Sequence, residues 1–230
     1  MLNQSKQAEQ TLNKRKGVNI KPLAYTLHKK FTFYFVIPNL MKVRDQKRFV
    51  ELLLYILNRT GRLDSYHVFK ILYFAERLHV ATWGLGFVPD NFLAKTNGPV
   101  PENLSIAIEE LSKSEDELSK LIDALTVHMQ EKVEEMPDGK DTFFEAKREA
   151  DMNYISKADK DVLDSAISDY AHLPFLELRR LSHDEAWEEA DKRVNGTDVL
   201  SPVTMAKAMK VDEAMLDYVR EQCEIAEYFS

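Results

Sequence analysis

The chain has 230 residues, 44% hydrophobic and 30% charged, a balance that excludes a disordered polypeptide. A mean hydropathy of −0.38 and no apolar run near the roughly 18 residues of a membrane span exclude an integral membrane helix. The one cysteine, Cys223, excludes an intramolecular disulfide framework and a multi-cysteine zinc site, and only 7 glycines and 8 prolines lean towards helix.

The net charge of −7 hides an asymmetry. Residues 1–40 hold seven bases and one acid, a net of +6, and residues 41–230 hold 24 bases and 37 acids, a net of −13. The basic part contains Lys14-Arg15-Lys16 and Lys29-Lys30, then the apolar run 31–37 (Phe-Thr-Phe-Tyr-Phe-Val-Ile) before Pro38. Seven apolar residues starting so late do not make a signal peptide, and no small-residue cleavage site follows. A basic arm for nucleic acid or lipid is one reading. The preferred expectation places residues 1–40 outside the domain, as a disordered extension or a start codon assigned too early.

From Met41 the period is mostly helical. Phe49, Leu52, Leu53, Ile56 and Leu57 form one stripe, widened by Val50, Leu54 and Tyr55, so this helix is expected to be central. Gly61 closes it, and Asp64 and Ser65 cap the next helix. That helix carries Val68, Ile71, Leu72, Ala75 and Leu78 on its core face, with Phe69, Tyr73 and Phe74 on a second face. Gly84 and Gly86 end it.

Residues 84–101 read as a Gly/Pro-rich structured loop with one short extended piece, 91–95. Pro101 then opens a helix as its first residue, with the stripe Leu104, Ala107, Ile108, Leu111. Ser114 and Glu117 form a capping box for a helix bearing Leu118, Leu121, Ile122 and Leu125. Alternation at Val127, Met129 and Val133, the turn 137–140 (Pro-Asp-Gly-Lys) and the segment 142–146 predict a β-hairpin at about 126–147. Ser156 caps a helix with Leu163, Ala166, Ile167 and Tyr170. A short helix spans 174–181. Ser182 and Glu185 read as a capping box for the helix carrying Trp187. Asn195-Gly196 marks a turn, Ser201-Pro202 starts another helix, and Asp212 caps the last one, with Leu216, Val219, Cys223, Ala226 and Phe229. The expectation is mainly α: a single globular multi-helix domain over 41–230.

The chemistry-bearing residues are sparse. The histidines His28, His67, His79, His128, His172 and His183 make no metal motif; His67 and His79 lie twelve apart on one helix, too far to share an ion. Cys223 falls on an apolar stripe, as a small hydrophobe does. Gly84 and Gly86 lack the third glycine and the preceding strand of a dinucleotide loop. No metal or cofactor is expected. A helix-turn-helix can be posed over 46–80, but its second helix is too apolar to offer a recognition face, so nucleic acid is not the expected partner. His183-Asp184-Glu185 could serve a hydrolase. The aromatic clusters around Tyr73 and Trp187 are core residues with polar handles on the simplest reading.

The order of motifs goes further. The stretch 67–79 (His-Val-Phe-Lys-Ile-Leu-Tyr-Phe-Ala-Glu-Arg-Leu-His) is followed by Gly84, then by 89–94 (Pro-Asp-Asn-Phe-Leu-Ala), then by 97–101 (Asn-Gly-Pro-Val-Pro). Far downstream come Ser182, His183 and Trp187, and the hairpin precedes a helix start at 154–159. This resembles the Panacea domain, the SocA-like antitoxin family, most strongly over 41–190. One departure is Asn97, where the family often carries tyrosine. The resemblance implies a mainly helical domain, bacterial or phage-encoded and cytoplasmic, with a prophage association. It implies an antitoxin encoded beside a toxin and neutralising that protein by direct binding. A proteolytic adaptor that delivers the toxin to an ATP-dependent protease is the alternative, ahead of a hydrolase using His183 and Asp184 or a DNA-binding regulator.

Together these readings predict a partner-binding groove from Lys70, Tyr73, Phe74, Phe92, Asn97, Gly98, Pro99, Val100, His183 and Trp187. Two prolines stiffen the segment and reduce the entropy lost on binding, and Tyr and Trp are favoured interface anchors. The competing reading is that these residues hold the loop onto the core. The acidic domain points to a protein partner, a basic toxin.

Overall fold

The computed structural model describes residues 43–111, 125–130, 141–191 and 197–228, all within the compact unit Met41–Ser230. The expected capping box at Ser114 and Glu117, its helix as far as residue 124, and the turns at 137–140 and 195–196 lie outside the described residues; Leu125, expected on that helix, is instead the first residue of a strand, a correction to the helix's expected end.

Helix α1 (Val43–Thr60) buries Phe49, Leu52, Leu53, Leu54, Tyr55, Ile56 and Leu57, as its periodicity requires. Gly61 ends it with φ +75°, its N–H donating to Leu57 O at 2.9 Å. A two-residue strand, β1 (Leu63–Asp64), leads into α2 (Ser65–Trp83). Asp64 caps α2 by accepting from the His67 N–H at 2.9 Å. Helix α2 is buried on nearly every side, from Tyr66 to Val80, because it carries apolar residues on both faces. It packs most extensively on α4 (Lys157–Tyr170) and also meets β3 (Gly98–Pro101), α5 (Phe175–Ser182) and α7 (Pro202–Ala208).

The segment 84–101 is more regular than its glycine and proline content suggests. After the left-handed Gly84 (φ +74°) the chain turns back over α2, and the buried Glu76 carboxylate accepts the Phe87 and Val88 N–H groups at 2.8 and 2.9 Å. Strands β2 (Phe92–Lys95) and β3 (Gly98–Pro101) then form an antiparallel hairpin in the register Phe92↔Pro101 to Lys95↔Gly98. The expectation of one extended piece is therefore corrected to two paired strands. Pro99 and Pro101 suit β3 because it is an edge strand of the sheet β3-β2-β6 (β6, Val199–Leu200) and need donate nothing on its open side. Pro101 is the last residue of β3, not the first of a helix. Helix α3 (Glu102–Leu111) starts at Glu102, and its early amides are capped from a distance by Asp90, which accepts from the Asn103 and Leu104 N–H groups at 3.1 and 3.2 Å.

The predicted hairpin is present as β4 (Leu125–Gln130) and β5 (Asp141–Ala146), with β1 on the other side of β5. Ser156 caps α4 in a full capping box with Asp159. Helices α5 (Phe175–Ser182) and α6 (Glu185–Ala190) follow. Here a second correction applies. Asp184, not Ser182, caps α6 by accepting from the Trp187 N–H at 3.0 Å, and Ser182 is fully buried inside α5. Strand β6 (Val199–Leu200) joins β2, and Ser201-Pro202 opens α7 (Pro202–Ala208) as expected. Asp212 accepts from the Met215 N–H at 2.9 Å at the start of α8 (Glu213–Tyr228). Val80, Ala206, Leu216 and Val219 form a small second core joining α2, α7 and α8. Cys223 is half-buried and Ala226 exposed at the margin of that core.

The described residues are mostly helical with small antiparallel sheets, a mainly α domain. Among them no helix is long and apolar enough to cross a membrane.

Candidate functional site

The β2–β3 hairpin is attached to the helices through three backbone carbonyls, those of Lys95, Asn97 and Pro99. Each accepts from a different buried side chain. Trp187 Nε1 donates to Lys95 O at 3.0 Å, Tyr66 OH to Asn97 O at 3.1 Å, and Lys70 Nζ to Pro99 O at 2.7 Å. Lys95 ends β2, Asn97 lies in the turn and Pro99 lies in β3, so both strands and the turn between them are tied. Two donors come from α2 and one from α6, so the hairpin bridges parts of the chain about a hundred residues apart.

Lys70 is 0% exposed. Its ammonium lies over the Tyr66 ring at 4.5 Å and meets Pro99 O, and burial pulls its pKa down to about 7. Gly98 makes this approach possible. A Cβ there would lie 2.4 Å from Ser182 Oγ and 3.1 Å from Lys70 Nζ, and its φ of +98° strains any other residue. Tyr66 also packs on Phe175 at 4.5 Å between ring centroids.

A second cluster holds α6. The Asp184 carboxylate accepts Tyr73 OH at 2.9 and 2.7 Å, the Trp187 N–H, and the Arg77 guanidinium. Burial, then the Asp184 charge, raise the Tyr73 pKa well above its usual value. The Tyr73 ring meets Phe92 edge-on at 5.7 Å, and Phe74 stacks on Tyr170 at 3.8 Å. The His183 and Trp187 rings are parallel, 3.8 Å apart.

The ten predicted site residues thus fall into an inner and an outer set. Lys70, Tyr73, Phe74, Phe92, Gly98 and Pro99 lie inside, and Trp187 is 8% exposed. Asn97, Val100 and His183 keep part of their surface in solvent. The inner residues hold the hairpin; the outer ones, with exposed Lys95 and Thr96, present it. Sequence reasoning missed Tyr66, Arg77 and Asp184 as parts of this clamp. The only local signal was Asp184 three residues before Trp187, at cap spacing, masked by the stronger pattern of Ser182 and Glu185.

Two further histidines are structural ties. His67 lies between Asp64 Oδ2 at 2.6 Å and Leu173 O at 2.9 Å. His79 lies between Leu85 O at 2.5 Å and Asp159 Oδ1 at 3.5 Å, and Arg48 meets the other Asp159 oxygen at 2.9 Å. Burial lowers both pKa values, but the carboxylate and carbonyl partners outweigh it and leave both raised. Among the described residues no cluster could hold a metal ion.

The fold and the site define a mainly helical domain that displays a clamped, two-proline hairpin. The chain belongs to the family described as antitoxin SocA-like, Panacea domain, whose model matches residues 68–188. No curated protein and no solved structure matches it.

Proposed function

We propose that the protein is the antitoxin of a toxin–antitoxin pair and neutralises a cognate protein toxin by direct binding, without catalysis. The observation that carries this reading is the family match over 68–188, which spans both the hairpin and the helix that clamps it. The binding surface is the hairpin turn with Asn97 and Val100, flanked by His183 and Trp187. Lys70, Tyr73, Phe74, Phe92, Gly98 and Pro99 act beneath it as its support. Such a surface is pre-organised, so little conformational entropy is lost on association. The net charge of −13 over residues 41–230 favours a basic toxin and disfavours a nucleic acid. Residues 41–230 are sufficient for neutralisation on this reading.

Asp184 supports the non-catalytic reading, because its carboxylate is engaged by Tyr73, Arg77 and the α6 backbone. Co-expression tests the proposal. The reading frame adjacent to this gene should be toxic alone and harmless with this chain present. If no adjacent product is toxic, the reading fails. If rescue disappears in a host lacking its ATP-dependent proteases, delivery to a protease replaces sequestration.

A further inference from the structure

Most arginines with described side chains are neutralised within the domain. Arg48 meets Asp159, Arg59 meets Asp164, Arg77 meets Asp184, Arg148 meets Glu51, Arg180 meets Glu177, and Arg220 meets Glu213 and Asp217. Arg62 lies over the Phe143 ring at 4.8 Å. Arg179 differs. Among the described residues it has neither a carboxylate nor a ring partner; its Nε is buried without an acceptor, as are those of Arg48 and Arg77, but those two have a carboxylate on another nitrogen and Arg179 has none. The residue is half-buried, so part of it remains reachable from solvent.

Its position is informative. The Arg179 carbonyl accepts from the His183 N–H at 3.1 Å and from Ser182 Oγ at 3.2 Å, which places its backbone at the joint between the buried clamp and the half-buried His183. Its positive charge acts on Tyr66, the residue that holds Asn97 O. A half-buried guanidinium without an acceptor is costly unless something completes it. The charge is felt by Tyr66, whose hydroxyl is bonded to the hairpin turn, and it stands in a domain that is otherwise acidic; a carboxylate is the group that matches it in both charge and shape.

We propose that Arg179 receives one carboxylate of the protein partner, an Asp or Glu side chain or a chain terminus, beside the turn formed by Thr96 and Asn97. The proposal rests on the antitoxin reading and names one chemical feature of the toxin. The planar fork of guanidinium matches a carboxylate with two parallel hydrogen bonds. A single acidic group on an otherwise basic toxin satisfies both this site and the acidic domain around it. A nucleic-acid phosphate is disfavoured, because a polyanion would be repelled by the rest of the surface.

Two measurements separate the site from the reading it serves. In the first, the full chain is titrated with sodium acetate and the arginine Nε–H resonances are followed by NMR. Arg179 is expected to shift saturably while Arg180 and Arg220, already paired, hold still. No shift at Arg179, or an equal shift at all three, overturns the site. A tighter response to inorganic phosphate than to acetate overturns the assignment to a carboxylate.

In the second, the affinity of the full chain for the product of the adjacent reading frame is measured by calorimetry. Arg179→Gln is expected to weaken it at least about tenfold at unchanged melting temperature, and Arg180→Gln to leave it as it was. Should Arg179→Gln lower the melting temperature, Arg179→Lys carries the comparison, and wild-type affinity in that variant overturns the requirement for a fork. Wild-type affinity in Arg179→Gln overturns the proposal while the antitoxin reading stands. If the wild-type chain does not bind that product, the antitoxin reading fails and the acetate titration alone decides Arg179.

Discussion

Tyr73 OH donates to both carboxylate oxygens of Asp184, at 2.9 and 2.7 Å, across 111 residues of sequence. The same carboxylate caps α6 and meets Arg77. One acid thus orients the Trp187 helix, and Trp187 in turn holds the hairpin at Lys95 O.

Asp184→Ala should therefore be among the most destabilising single changes. It removes a helix cap and leaves Arg77 largely buried without its partner, at a cost of about 3–5 kcal/mol. Tyr73→Phe, which removes one donor and leaves the carboxylate its other partners, should cost about 1–3 kcal/mol. Chemical denaturation of both variants checks the order, and equal losses would contradict the hub role of Asp184.

Gly61 and Gly98 both have positive φ but sit in different surroundings. A Cβ at Gly61 would meet nothing within 4 Å, so Gly61→Ala should cost only the backbone strain, about 1–2 kcal/mol. At Gly98 the new methyl would collide with Ser182 Oγ and press on Lys70. Gly98→Ala should cost more than about 2 kcal/mol and displace the hairpin. Melting temperatures of the two variants, with the backbone amide shifts of residues 95–100, decide this.

Lys70 makes stability depend on pH in a specific direction. Its folded pKa of about 7 lies below the ordinary lysine value of 10.5, so between these limits the unfolded chain binds the extra proton. Stability contributed through Lys70 should rise with pH from about 7 to 10.5, by at most about 1.4 kcal/mol per unit. The wild-type curve minus that of Lys70→Met isolates this slope. A flat difference over that window would show that the ammonium is not desolvated.

His67 and His79 act in the opposite sense. Their raised folded values mean that the stability they add is complete below pH 6.5 and is lost as pH rises through those values. Replacing either by Gln should flatten the fall of melting temperature just above pH 6.5. NMR titration of each imidazole gives the direct check; a midpoint below 6.5 would contradict the double clamp on that ring.

Trp187→Phe removes the bond to Lys95 O and keeps the bulk that faces His183. It should cost about 1 kcal/mol of stability and weaken toxin binding by loosening the hairpin end. Calorimetry against the adjacent gene's product, set beside thermal melts, separates the two effects. Unchanged affinity would place the binding surface elsewhere.

What the sequence determined by itself was local and periodic. The α1 stripe from Phe49 to Leu57, the Gly61 stop, the Asp64 and Ser156 caps and the Ser201-Pro202 start all depend on neighbours within about one helical turn. The resemblance carried by 67–101 and by Ser182, His183 and Trp187 named the family from motif order. Tertiary structure decided the rest. Pro99 and Pro101 read as loop signals, and only pairing with β2 and an open outer edge make that segment a strand. Ser182 and Glu185 matched a capping box, yet the space beside Gly98 draws Ser182 into the interior and Tyr73 brings Asp184 to the cap. Asp90 caps a helix thirteen residues away for the same kind of reason. The division of the site into a buried support and an exposed turn was equally out of reach, because burial depends on which elements cover α2. Residue type and spacing specify what a side chain can bond to; which partner arrives is set by contacts between segments a hundred residues apart.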